Sequence, residues 1–225
     1  MILDHSTKRN LEITFSMQDG SREGSLISIL DKTQTAMGGR LLKKWISAPL
    51  RELDPIKKRH DSVEELFKNK RIRKTLNESL REIGDLERLI SRICTGRANP
   101  REVIALKSSL KKIPDIKEQL KDFSVQTIKT IFEQLDPLEK IVEKISAAII
   151  DSPPAVVNEG GIIRNGFSPE LDELRDISLH GKEWIASLQQ TERERTGIPS
   201  LKVSFNNVFG YYIDVSHTHK NKIPL

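Results

Sequence analysis

Four times in this 225-residue chain a cap-type residue stands directly before a proline at the start of an apolar-periodic run: Asp54-Pro55, Asn99-Pro100, Asp136-Pro137 and Ser168-Pro169. Each pair opens a run of apolar residues at helical spacing. A cap oxygen takes one of the orphan N–H groups of the first turn, and proline at the first helical position gives up a donor that had no partner there. Glu102 and Glu139 stand three residues after Asn99 and Asp136, the spacing of a capping box. The pattern therefore predicts four helix starts and a chain built mainly of helices.

The runs that follow fit a period of 3.6. Ile56, His60, Val63 and Phe67 follow Asp54. Val103, Leu106, Leu110 and Ile113 follow Asn99, with Pro114 ending or kinking the helix. Leu138, Val142, Ile145 and Ile149 follow Asp136 and stop before Pro153-Pro154. Between them, Ile72, Leu76, Leu80 and Ile83 predict another helix, stopped at Gly84. Asp85 then caps Leu86, Leu89 and Ile93, and Leu41, Leu42, Trp45 and Ile46 predict one more helix ahead of Pro49. The starts are unevenly spaced and no motif repeats, which favours an irregular bundle over a solenoid.

The last helix differs. From Pro169 to Thr196 the only strong breaker is Gly181, and 28 residues make about 40 Å of helix. Leu171, Leu174, Ile177, Gly181, Trp184 and Leu188 form a narrow stripe, but 189–196 holds no apolar residue. That half is expected to project with few neighbours, until Gly197 and Pro199 end the helix. The period then changes to two. Leu201, Val203 and Phe205 alternate with polar residues, as do Tyr211, Ile213 and Val215, with Asn206-Asn207 and Gly210 between. This predicts a β-hairpin, in which Tyr211 and Tyr212 face opposite sides. A shorter hairpin is predicted at 156–167, turning at Gly160-Gly161.

Composition excludes more than it assigns. No apolar run reaches membrane-spanning length and no signal peptide opens the chain, so a soluble, cytoplasmic protein is expected. A single cysteine, Cys94, allows no internal disulfide; its apolar helix predicts a small buried side chain. The net charge of +5 permits a nucleic-acid partner without requiring one. The basic stretch 57–74 is read as a solvated helix face. No G-x-x-x-x-G-K-[ST] stretch is present, and the one Gly-Lys pair, Gly181-Lys182, is followed by Glu183 inside a helix. His217 and His219 lie two apart, but no cysteine or carboxylate cluster completes a metal site around them. No nucleophile–base pair is apparent, so neither catalytic, cofactor nor metal residues are assigned.

Several segments in order resemble the MutS family of DNA mismatch-recognition proteins: DHSTKRNLEI (4–13), DGSREGSLISILDKTQTAMGGRLLKKWISAPL (19–50), DLERLISRI (85–93), GRANPRE (96–102), NGFSPELDELR (165–175) and TGIPSLKVSFNNVFGYYIDV (196–215). The resemblance implies a lead-in segment at 1–18, similar to a strand that follows a connector domain. It implies a helical core or lever domain at 19–196 and the first part of a clamp at 197–225, with the remaining clamp strands missing. The fold expected is mainly α: an irregular bundle with a long projecting lever helix and a small β-hairpin at its tip. The function implied is mechanical, coupling an ATPase domain to a DNA-gripping clamp in mismatch repair. The parent would bind ATP and Mg, grip mismatched double-stranded DNA, pack against its own ATPase and connector domains and form a homodimer. This fragment would be no enzyme and hold no cofactor. Candidate DNA-backbone residues are Lys202, His217, His219, Lys220 and Lys222. The alternative is a free-standing helical adaptor for protein partners. The bundle, about 20–188, is expected to be the stable unit, with 197–225 drawing little support from the polar end of the helix.

Overall fold

The computed structural model describes residues 3–222. It is mainly helical, with one two-stranded antiparallel sheet among the described residues. The chain divides into two compact units, Met1–Arg164 and Asn165–Leu225. The long helix therefore groups with the hairpin that follows it.

The first unit contains α1 (His5–Asn10), α2 (Leu26–Leu30), α3 (Ala36–Ser47), α4 (Leu53–Lys68), α5 (Lys70–Arg81), α6 (Leu86–Cys94), α7 (Pro100–Leu110), α8 (Ile113–Leu120), α9 (Gln126–Gln134) and α10 (Glu139–Ala148). Its core is Leu76, Ile83, Leu106, Leu110, Ile113, Ile116, Leu120, Phe123 and Ile128. Leu66, Ile72, Leu86, Leu89, Ile93 and Val142 pack against that cluster. The predicted stripes of α5, α6 and α7 are thus the faces that meet.

Local signals were decisive where cap and helix are contiguous. Asn99 caps α7 with a full capping box: its Oδ1 accepts from Glu102 N at 3.0 Å, and Glu102 Oε2 accepts from Asn99 N at 2.9 Å. Asp85 accepts from Arg88 N to start α6. Pro114 falls in the first turn of α8, so the break expected there is a new helix start.

Other expectations are corrected. Helix α4 starts at Leu53, one residue before Asp54, and Glu52 is its cap position. Its rotation also differs: Val63 and Phe67 are each 64% exposed, whereas Leu66 packs on the core. The rotation suits Glu65. Its carboxylate accepts from Ser124 N, Ser124 Oγ and Val125 N at 2.7, 2.7 and 2.9 Å. Those donors sit at the start of α9, which has no cap side chain of its own. Partial burial raises the Glu65 pKa, but the three donated hydrogen bonds outweigh it and hold the group below the usual range.

Asp136 does not cap a helix. Its Oδ1 accepts from Leu138 N in an Asx turn, Leu138 takes a left-handed φ of 52°, and α10 begins at Glu139. No hairpin forms at 156–167. Val157–Glu159 is a 3₁₀ turn, and Ile163 bridges back to Ile149 at the end of α10. Residues 5–10 are helix rather than strand because the Asp4 carboxylate caps them through Thr7 N at 2.7 Å. Cys94 is exposed as the last residue of α6, whereas Ile93 beside it packs on the core.

The second unit is α11 (Pro169–Thr196), then β1 (Lys202–Asn206) and β2 (Gly210–Asp214). Ser168 caps α11 through Leu171 N. Gly197 ends it with φ 64°, a left-handed conformation that glycine adopts without a Cβ clash. No residue of α11 is buried. Its length is supported by pairs one turn apart, Asp172–Arg175, Asp176–His180 and Glu192–Arg195. The strands pair in register Val203↔Ile213 and Phe205↔Tyr211. In the connecting turn, Asn206 Oδ1 accepts from Val208 N and Phe209 N.

Candidate nucleic-acid interface

The hairpin hangs on the helix mainly by polar ties. Arg193 Nε donates to Leu201 O at 2.7 Å, and Val203 N donates to Gln189 Oε1 at 2.9 Å. Ile198 and Leu201, 1% and 3% exposed, fill the bend between helix and strand. The polar half of α11 thus supplies support that its composition had argued against. A side chain there needs no apolar face when its partners are backbone groups of a strand. Val203 N points away from β2, so the Gln189 tie also satisfies one donor on the outer edge of β1.

The predicted backbone-contacting residues lie at one end of this hairpin. Lys202 is exposed and sits opposite Asp214 in register. Residues His217–Lys222 follow as a 3₁₀ segment, in which His217 is exposed and His219 half-buried. Ser200 and Ser216 hydroxyls meet at 2.9 Å, tying the segments on either side of the hairpin together. Lys202 and the 217–222 segment are therefore brought to the same end, away from the turn. The side chains of Lys220 and Lys222 lie outside the described residues. The turn itself carries no cation: Val208 and Phe209 stand exposed there. Tyr211 and Tyr212 occupy opposite faces and are both exposed, Tyr211 with its ring 5.0 Å from that of Phe205.

Chemically, this end presents an exposed ammonium at Lys202 and an exposed imidazole at His217. Such groups meet phosphate oxygens and do not read base edges. Among the described residues no group of three or more His, Cys, Asp or Glu is placed to hold a metal ion. A cleft of about 510 Å³ in the first unit is lined in part by Arg22, Thr33, Arg40 and Lys43. Two of its cations are already neutralised. Arg22 pairs with Asp31, and Arg40 forks onto Asp85 at 2.7 and 2.9 Å while also reaching Glu87. The Arg40 guanidinium pulls the Asp85 carboxyl down to about 2. No helix among the described residues is long and apolar enough to cross a membrane.

Sequence reasoning missed Gln189 and Arg193. A polar residue that ties a helix to a strand after a bend leaves no periodic mark, and nothing local distinguishes these two from their solvated neighbours.

Comparison with known proteins adds a family. The profile of MutS domain III matches residues 6–213. A DNA mismatch repair protein MutS from Salinibacter ruber is 48% identical over 222 residues, covering 99% of this chain and 24% of its own length. The protein of the same name from Ruminiclostridium cellulolyticum is 49% identical over 224 residues, and that from Methanothrix thermoacetophila 44% over 226. Each covers 100% of this chain, and the chain covers 26% of each. The chain thus spans about a quarter of the length of these relatives.

Proposed function

Because the chain belongs to the MutS family through its domain III, we propose that it is the helical core and first clamp strands of a mismatch-repair protein. Its work is mechanical. Residues 1–18 lead in from a connector domain, 19–196 are the core and lever, and 197–225 begin the clamp. The parent hydrolyses ATP with Mg in another domain, grips mismatched double-stranded DNA, acts as a homodimer and resides in the cytoplasm. Helix α11 transmits the nucleotide state to the grip.

The observation that carries this reading is the second unit: an uninterrupted 28-residue helix with no buried residue, fastened by side-chain hydrogen bonds to a hairpin. A helix held in one piece by its own caps and by i,i+3 and i,i+4 pairs resists bending and moves its end as one body. The lysines and imidazoles at the base of the hairpin, Lys202 with His217, His219, Lys220 and Lys222, contact the DNA backbone. They position the clamp and carry no sequence information.

Fluorescence anisotropy of this chain with a labelled perfect duplex and a single-mismatch duplex, at two salt concentrations, tests it. Weak, salt-sensitive binding without preference for the mismatch is expected. Lys202→Ala weakens both duplexes equally and lowers the salt slope by about 1. Tight binding at physiological salt with a preference for the mismatch would contradict the assignment. Saturable nucleotide binding or ATP hydrolysis by the purified chain would contradict the allocation of that chemistry to another domain.

A further inference from the structure

The segment between α10 and α11 is fastened to the bundle by charge. Lys107, on α7, has a side chain only 6% exposed, and its ammonium lies 2.8 Å from Asp151 Oδ1. Among the described residues Asp151 is the one carboxylate paired with it. Asp151 itself is 75% exposed, so its position is not fixed by its own burial. Its other oxygen, Oδ2, accepts from Arg164 Nη2 at 3.2 Å. Arg164, the last residue of the first unit, also donates to Ser146 O and Ile149 O, the carbonyls at the end of α10. The backbone agrees: Arg164 N donates to Ala148 O at 2.8 Å and Ile150 N to Ile162 O at 3.1 Å. Arg101 Nε takes Pro153 O, holding the same segment further along.

A nearly buried ammonium left without an anion is costly, so the site demands a carboxylate. Here that carboxylate comes from a loop. The loop goes where Lys107 draws it, and Arg164 then fixes the returning segment against the loop. We propose that Asp151 is a positioning residue: it pins the segment from which α11 sets out onto α7 and α10. The importance of that pin rests on α11 serving as a lever, since a lever needs a root that does not yield. The pin itself lies wholly within the bundle and is tested there.

Amide hydrogen exchange by NMR on the 225-residue chain decides it. With Asp151→Ala, the Ile150 and Arg164 amides are expected to lose protection by roughly tenfold or more, while Leu106 and Leu110 stay within about twofold of the parent. Asp151→Glu, which keeps the charge, restores most of the protection. Lys107→Met removes the buried ammonium and its demand for an anion. It is expected to free Ile150 and Arg164 in the same way, and it carries the test if Asp151→Ala does not fold. Unchanged protection of Ile150 and Arg164 in both loss variants would overturn the proposal. So would a loss spread equally over Leu106 and Leu110, which would make Asp151 a general support of the bundle. The DNA titration tests the lever and the exchange measurement tests the pin, so either can fail without the other.

Discussion

In the first unit nine apolar side chains from α5, α7, α8, α9 and the segments between them close around one another. In the second, Ile198 and Leu201 are the buried apolar residues described, and Gln189, Arg193 and Asn206 do much of the joining through hydrogen bonds to backbone. The two units solve different problems. Apolar closure is non-directional and scales with area, so it stabilises strongly. Hydrogen bonds from side chain to backbone are directional and each contributes little net free energy, but they fix one geometry. A bundle needs the first property, and a helix that must hold a hairpin at a set angle needs the second.

The comparison breaks first at a core leucine. Leu110→Ala, at a buried position of the cluster, should cost about 2–5 kcal/mol in urea unfolding followed by circular dichroism. Ile177→Ala on α11, where the side chain is 60% exposed, should stay within about 0.5 kcal/mol. Equal losses would mean that both units rely on apolar burial.

Asn99→Ala comes next, at about 1 kcal/mol, because it removes the side-chain acceptor for Glu102 N and leaves only the Glu102 half of the capping box on α7. Asp136→Ala should cost less, since its oxygen serves an Asx turn and no helix N-terminus. Thermal melts of the two variants side by side give the ranking, and a larger loss at Asp136 would reverse it.

Gln189→Ala sharpens the other side of the comparison. Loss of one tie should cost about 0.5–1.5 kcal/mol locally. It should appear as faster exchange of the Val203 amide, while Leu106 is unmoved. Faster exchange in both would show that the bundle senses the hairpin.

The smallest effect is electrostatic. Asp85 should titrate near 2 by carboxyl-carbon NMR, and Arg40→Ala should return it towards the ordinary value of about 3.9. The folded pKa is the depressed one. The pair therefore contributes fully above the unfolded value, and the contribution fades as pH falls towards about 2. An unshifted midpoint in the parent chain would remove the Arg40 fork as its cause.

What could be read from the sequence follows the same divide. The cap–proline pairs at Asn99 and Ser168 were legible because donor and acceptor lie within three residues. The hairpin was legible because period two is a local property of 202–214. Asp54 and Asp136 misled because a cap-type oxygen serves a turn, or sits one residue inside a helix, as readily as it caps. The rotation of α4 was illegible, since two faces of that helix carry apolar residues and the one buried suits a bond from Glu65 to residues about 60 further on. Gln189, Arg193, Asp151 and Lys107 left no trace for the same reason: each finds its partner through the fold.

The bond from Glu65 to the start of α9 bears on the order of events in folding. A helix of nine residues is short of the length that holds alone in water. With its N-terminal donors satisfied by a glutamate 59 and 60 positions upstream, α9 gains its cap only when that long loop has closed. Loop closure is an entropic barrier met before the contact rewards it. Helix α9 should therefore consolidate late, after α4 and α5 have met. Substitutions at Glu65 should speed unfolding more than they slow refolding.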